Sequence, residues 1–134
     1  MLFRSVAHAA IDVSDGLMGD LAHICAASNV LADIDFALIP QPIFSAKMPE
    51  DVRHQAVLAG GDDYELCFTA PASARQRIAE ISATLALPCT RIGNITAPQI
   101  DPAVSPRHCV TVHNLEGASS TKALTGYDHF ATNN

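Results

Sequence analysis

Acidic side chains are concentrated at two places in the sequence, and the first is the segment DVSDG at residues 12–16. Asp12, Ser14 and Asp15 place three oxygen-bearing side chains at the junction of an apolar stretch and a segment with helical periodicity. Mg²⁺ suits such a segment because it takes one or two carboxylates from a protein and keeps several waters. The N–H groups at a helix N-terminus also favour phosphate. The segment therefore fits a site for a hard cation and the phosphate it neutralises, and it also fits ordinary helix capping by Asp or Ser.

The second acidic cluster is GGDDYE at residues 60–65. Two glycines permit backbone angles that other residues avoid, and adjacent carboxylates repel each other unless a positive group is near. An acidic turn facing solvent is the alternative interpretation. Both clusters lie at predicted element ends, where sites in α/β folds are built. We therefore expect Asp12 and Asp15 to lie close together at one end of a sheet, with Asp62 and Asp63 opening onto the same face.

The elements that would position these clusters alternate between strand and helix. The pattern predicts strands at residues 7–13, 30–36, 65–70, 89–95 and 109–113, and helices at residues 14–28, 49–58 and from 71 onward. We expect Ser14 or Asp15 to cap the first helix, and Gly16 and Gly19, which weaken a helix, to allow the close approach of another segment. A hairpin between the last strand and the segment near Ile100 is also expected. This order predicts a layered α/β (α+β) domain with a mixed β-sheet flanked by helices.

Composition limits the classes of function. The chain has 134 residues, of which 49% are hydrophobic and 5% aromatic, so one domain with an aliphatic core is expected. The net charge of −6 disfavours nucleic acid and anionic membranes as partners, and a phosphorylated ligand would need a metal ion. No apolar run reaches the length of a membrane span, and the N-terminus does not resemble a signal peptide. The four cysteines form no C-x-x-C pair, which favours buried, reduced thiols in a cytoplasmic protein.

Several common motifs of nucleotide binding, metal binding and nucleophilic catalysis are missing from the sequence. It contains no G-x-x-x-x-G-K-[ST] phosphate loop, no G-x-S-x-G nucleophile elbow and no H-E-x-x-H metal motif. None of the cysteines lies in an electropositive setting that would activate it. We therefore assign no catalytic residue.

Four segments of the chain resemble motifs of the thiamine-monophosphate kinases. AIDVSDGL at residues 10–17, followed by GDL at residues 19–21, resembles the family signature I-D-[VI]-S-D-G-L-x-x-D-L. GGDDYEL at residues 60–66 resembles G-G-[ED]-D-Y-E-L, IGNI at residues 92–95 is similar to I-G-x-[IV], and GYDHF at residues 126–130 resembles G-[YFW]-x-H-F. The four matches occur in the family's order and span nearly the whole chain.

This resemblance implies a fold and a reaction. The fold would be that of the C-terminal domain of aminoimidazole ribonucleotide synthetase, whose superfamily also includes selenophosphate synthetase. The reaction would transfer the γ-phosphoryl group of ATP directly, in line, to thiamine monophosphate, with several Mg²⁺ ions. Family members are homodimers with two domains per subunit, so residues 1–134 would form the C-terminal domain, without the N-terminal ATP-binding and dimerisation domain. We expect such a fragment to be inactive alone.

The resemblance also implies roles for individual residues. It makes Asp12 and Asp15 ligands of Mg²⁺, Ser14 a contact of ATP, Asp63 a contact of the thiamine phosphate with Asp62 close by, and Tyr127 a ring stacked near the thiamine. Phosphoryl transfer needs positioning and charge neutralisation more than covalent help, which agrees with the lack of a nucleophile. Two alternatives stay open: another ATP-dependent enzyme of the same superfamily, and a stand-alone, non-catalytic metal- or ligand-binding domain.

Overall fold

Strands and helices alternate along the chain, as the sequence predicts. The structure is a computed structural model, and it describes residues 5–61, 64–97 and 109–115. The elements are β1 (Ala9–Val13), α1 (Leu17–Ser28), β2 (Leu31–Asp35), a 3₁₀ turn (Phe36–Leu38), α2 (Glu50–Ala59), β3 (Glu65–Thr69), a second 3₁₀ turn (Ala72–Ala74), α3 (Arg75–Leu85), β4 (Gly93–Thr96) and β5 (Val110–His113). Asp62, Asp63 and Tyr127 lie outside the described residues.

The described strands form two sheets. β1 pairs with β3 in antiparallel register, and β2 is the centre of a three-stranded sheet in the order β4-β2-β5. Since β2 is antiparallel to β4 and parallel to β5, this second sheet is mixed. The predicted fold class, an α/β domain with a mixed sheet and helices, is confirmed. The segment near Ile100 lies outside the described residues, and the strand that pairs with β5 in the structure is β2.

The core lies between α1 and the strands. Helical spacing puts the apolar side chains of α1 on one face, and Leu21 and Cys25 are buried there. Alternation along β2 sends Ala32 and Ile34 inward. The buried core cluster consists of Val13, Leu17, Leu21, Cys25, Ala32, Ile34, Phe36, Ile39, Leu58 and Cys109. It is largely aliphatic, as the composition predicts.

The helices are short, and two of them end in left-handed residues. α1 has 12 residues, α2 has 10 and α3 has 11. Within the described ranges, no helix is long and apolar enough to cross a membrane. Asn29 ends α1 with φ 51°, and Ala86 ends α3 with φ 54°. Because αL is costly for alanine, the C-terminus of α3 carries backbone strain.

The cysteines are all free thiols. Cys25 and Cys109 are buried, whereas Cys67 and Cys89 are partly buried. Burial, together with the neighbouring Cys109, raises the pKa of Cys25 to about 12. Burial also raises the pKa of Cys67, with a smaller contribution from the charge of Asp20. Cys25 and Cys109 agree with the predicted buried, reduced thiols, whereas Cys67 and Cys89 are only partly buried. The cytoplasmic location stays a prediction.

Candidate functional site

The first acidic cluster forms the junction between β1 and α1. Asp12 lies on β1 opposite Leu66 of β3, and its side chain is exposed. Ser14 and Asp15 follow in the turn before α1, and both are partly buried. The strand therefore fixes the position of Asp12, while the positions of Ser14 and Asp15 depend on how the turn is held.

A carboxylate from α1 holds this turn. Oδ2 of Asp20 accepts hydrogen bonds from the backbone N–H of Ser14 at 2.9 Å and of Asp15 at 3.1 Å. Asp20 is 3% exposed, so both bonds are shielded from water. The prediction that Ser14 or Asp15 caps the helix is wrong, since Gly16 is the N-cap residue and makes no side-chain cap bond. The carboxylate that reaches the turn comes from within the helix instead.

The two bonds to Asp20 also change how the turn could bind phosphate. The sequence suggested that backbone N–H groups here would face an anion. The N–H groups of Ser14 and Asp15 donate to a carboxylate of the protein itself. A phosphate at this turn would therefore depend on side chains and on cations held by them, rather than on these two amides.

Gly16 brings the turn against the end of α2. Its backbone angles, φ 106° and ψ 146°, belong to a region that is almost restricted to glycine. A Cβ at this position would lie 2.8 Å from the Cα of Ala59 and 2.9 Å from its carbonyl carbon. The close approach expected from the sequence at Gly16 is thus observed, and it joins the turn to the segment that leads into the second acidic cluster.

The second acidic loop packs on the first turn through backbone contacts. A Cβ on Gly61 would lie 2.6 Å from the carbonyl oxygen of Ser14, and the N–H of Tyr64 donates to the carbonyl of Val13 at 3.1 Å. Gly61 and Tyr64 flank the two aspartates of the loop. The common face expected for the two acidic clusters stays a prediction, because Asp62 and Asp63 are outside the described residues.

Neither glycine of the second acidic loop uses the positive φ that glycine permits. Among the described residues, Gly16 is the only glycine with positive φ, and in the loop it is Tyr64 that has φ 51°. Gly60 is required for space, since a Cβ there would lie 2.2 Å from the carbonyl oxygen of Ala56. Tyr64 is 77% exposed. A left-handed, exposed aromatic residue is a feature that the sequence pattern did not reveal.

The donors in the described part of the site fit a hard cation, although they do not complete its coordination. Asp12 and Asp15 supply carboxylate oxygens, and Ser14 supplies a hydroxyl. No group of three or more His, Cys, Asp or Glu side chains suited to a metal ion occurs in residues 5–61, 64–97 and 109–115. Mg²⁺ commonly binds through one or two protein carboxylates, with water and substrate phosphate as its other ligands. Asp12 and Asp15 are the kind of protein ligands that such a Mg²⁺ ion uses: oxygen donors that fill only part of its coordination.

Comparison with known proteins identifies the domain. Residues 1–103 match the family model described as AIR synthase related protein, C-terminal domain. Curated thiamine-monophosphate kinases from Escherichia coli O157:H7 and from strain K12 are each 41% identical to the chain, over 131 and 133 residues. Each match covers 96% of the chain and 37% of the relative. The chain therefore spans about 37% of the length of these relatives.

Two solved structures share the fold. Thiamine-monophosphate kinase from Stenotrophomonas maltophilia K279a matches with a TM-score of 0.67 and 43% identity, covering 83% of this chain and 33% of that one. AaThiL complexed with AMPPCP and TMP matches with a TM-score of 0.60 and 25% identity, covering 96% of this chain and 35% of that one. With the family model covering residues 1–103, these matches show that the chain belongs to the AIR synthase related proteins and corresponds to their C-terminal domain.

Proposed function

We propose that this chain is the C-terminal part of an ATP- and Mg²⁺-dependent kinase that converts thiamine monophosphate to thiamine diphosphate. The observation that carries the proposal is the contact between the two acidic segments, in which Gly61 packs on Ser14 and Tyr64 bonds to Val13. Two aspartate-bearing segments held together fit a ligand with several phosphates. The curated relatives, which are thiamine-monophosphate kinases, support the choice of substrate.

The residues would act by holding and orienting the reactants. Asp12 and Asp15 would bind Mg²⁺, which neutralises charge on the transferring phosphoryl group. Ser14 would contact ATP from the same turn. This chain would supply no nucleophile, because a phosphate oxygen of thiamine monophosphate attacks the γ-phosphorus and ADP leaves. The neighbour complexed with AMPPCP, an ATP analogue, and TMP supports this pair of ligands.

The thiamine end of the substrate would be held by the second segment and the C-terminal motif. Asp63, with Asp62 close by, would contact the thiamine phosphate. Tyr127 would lie against the thiazolium ring, since the face of a tyrosine attracts a cation by about 0.5–2 kcal/mol. The rest of the ATP site and the dimer contacts would come from an N-terminal domain, which agrees with the 37% coverage of the relatives. A non-catalytic ligand-binding domain is the alternative function.

A chimera tests the proposal. The N-terminal part of the Escherichia coli K12 relative is fused to this chain, and thiamine diphosphate is measured after incubation with ATP, Mg²⁺ and thiamine monophosphate. We expect turnover by the chimera and little or none by the 134-residue chain alone. Asp12→Asn and Asp15→Asn should each lower kcat at least about tenfold, because contacts with a transferring phosphoryl group are worth several kcal/mol.

Asp33→Asn is the matched control for these two variants. Asp33 lies on β2, in the other sheet, where its carboxylate is 3.3 Å from His113. Its loss should leave kcat within about twofold of the unmodified chimera, as expected for an exposed side-chain contact in a sheet that carries neither acidic cluster. A folded chimera without turnover, or equal losses in all three variants, would contradict the kinase proposal.

A further inference from the structure

Asp20 is a buried acidic residue to which the proposed reaction gives no role. It lies in the first turn of α1 and is 3% exposed. Its Oδ2 accepts two backbone hydrogen bonds, from Ser14 and Asp15. These are the two turn residues assigned to ATP and Mg²⁺ above. The carboxylate therefore touches the backbone of both candidate ligand-binding residues while its own side chain is shielded from solvent.

We propose that Asp20 is a positioning residue for the metal and nucleotide site, and that it sets the placement of the Asp15 carboxylate and the Ser14 hydroxyl. The inference rests on the proposed function for the identity of the ligands. It does not make Asp20 itself a metal ligand, because its Oδ2 accepts the two amides and the residue is only 3% exposed. Its effect on the ligands passes through the backbone of the turn.

The geometry explains why the turn needs such an anchor. On its N-terminal side, Val13 is held in the β1–β3 register opposite Glu65. On its C-terminal side, Gly16 has backbone angles outside the helical range, and regular helix begins only at Leu17. Ser14 and Asp15 lie between these points, where neither strand nor helix bonding fixes their N–H groups. Asp20 supplies an acceptor for both.

The location of the carboxylate favours this arrangement. The first turn of a helix carries partial positive charge, which stabilises an acidic side chain there. N–H groups bonded to a carboxylate form shorter and stronger bonds than N–H groups bonded to a neutral acceptor. Since one oxygen atom accepts both bonds, a carboxamide oxygen could take the same place, but it would lack the charge, and its NH₂ group would need a new acceptor. Asn at this position should therefore be an intermediate case, and Ala the severe one.

Metal binding by the 134-residue chain tests the inference with Mn²⁺ as the probe. The dissociation constant is measured by electron paramagnetic resonance of free Mn²⁺, at a temperature where circular dichroism shows each variant to be folded. Residues that orient metal ligands typically contribute about 10–100-fold in metal affinity. We expect Asp20→Ala to weaken Mn²⁺ binding by at least about tenfold and Asp20→Asn by a smaller factor. If Asp20→Ala does not fold, Asp20→Asn alone decides.

Leu21→Ala is the matched control, because it removes a buried side chain from the same helical turn and leaves both bonds to Asp20 in place. It should lower thermal stability and leave the Mn²⁺ dissociation constant within about twofold, since core truncation acts on folding free energy. Hydrogen exchange provides a second measurement: the amides of Ser14 and Asp15 should lose protection in Asp20→Asn, beyond any global change, and keep it in Leu21→Ala.

The outcomes separate this inference from the proposed function. The positioning role is overturned if Asp20→Asn and Leu21→Ala lower the Mn²⁺ affinity equally. It is also overturned if Asp20→Asn leaves the Mn²⁺ affinity unchanged. A wild-type chain that does not bind Mn²⁺ overturns it as well. A chimera without kinase turnover, combined with Mn²⁺ binding that depends on Asp20, refutes the kinase proposal and leaves the positioning role standing.

Discussion

Replacing Gly16 with alanine tests whether the candidate site is fixed by the backbone of its first turn. Gly16 has φ 106° and ψ 146°, angles that L-residues other than glycine scarcely adopt. The added methyl group would also lie 2.8 Å from the Cα of Ala59. Gly16→Ala therefore combines two effects: strain in the backbone of the turn, and overlap with the end of α2.

The magnitude follows from these two effects. A residue forced into a sparsely populated backbone region costs about 1–3 kcal/mol. Overpacking against neighbours that cannot move freely costs about 1–3 kcal/mol as well, and here the neighbour is backbone. If the two costs add, Gly16→Ala lowers the free energy of unfolding by about 2–6 kcal/mol, against about 5–15 kcal/mol for a typical domain.

Urea denaturation of the 134-residue chain, followed by circular dichroism, measures this change. Gly19→Ala is the control, because Gly19 lies inside α1, where alanine favours helix by about 1 kcal/mol over glycine. We expect a lower midpoint for Gly16→Ala and an unchanged or higher midpoint for Gly19→Ala. A free energy of unfolding for Gly16→Ala within about 0.5 kcal/mol of wild type would refute the backbone argument.

Two further predictions concern stability away from the site. Ala86→Gly should raise the free energy of unfolding by about 1 kcal/mol, because glycine removes the αL strain at the end of α3. Ala79→Gly, inside the same helix, should lower it by about 1 kcal/mol, and equal shifts in these two variants would contradict the assignment of strain. The pKa of Cys25, about 12 when folded against 9.0 ordinarily, predicts stability that is complete below pH 9 and lost as the pH rises toward 12. The urea midpoint should fall more steeply over that interval in wild type than in Cys25→Ala, and parallel curves would be evidence against a buried, protonated thiol.

The sequence predicted most elements because their signals are local. The apolar spacing of α1 lies within that helix, and Pro49 immediately precedes α2, so the observed helices Leu17–Ser28 and Glu50–Ala59 follow these local signals closely. The start of α1 was less well predicted, since Asp and Ser before a helix usually cap it. Here the acceptor comes from Asp20, six residues after Ser14. Asp20 is an acidic residue, as the capping rule expects, but it lies inside the helix and not before it, where the rule does not look for a capping side chain.

The features that the sequence did not predict depend on contacts between segments that are distant in sequence. The parallel pairing of β5 with β2 joins strands about 80 residues apart, for instance Ala32 with Val110, and no local pattern specifies it. The same holds for the packing of Gly61 on Ser14, where glycine supplies space and not a positive φ. The motifs marked both segments as candidates for binding phosphate and metal. Their contact follows from the β1–β3 register, which the motifs do not encode.

The contacts around the first turn explain how an acidic chain could serve phosphate chemistry. The amides of Ser14 and Asp15 are bonded to Asp20, and the carbonyl of Val13 accepts from Tyr64. These backbone groups of the turn are therefore committed to the fold and do not face a ligand. On the proposed function, what the turn would offer to a ligand is side-chain oxygen, chiefly the carboxylates of Asp12 and Asp15, in a chain with a net charge of −6. Negative groups of this kind attract a polyphosphate only when cations lie between them and the phosphate. On the proposed function, binding of ATP by this domain should consequently depend more steeply on Mg²⁺ than binding to a site lined with backbone amides and lysine.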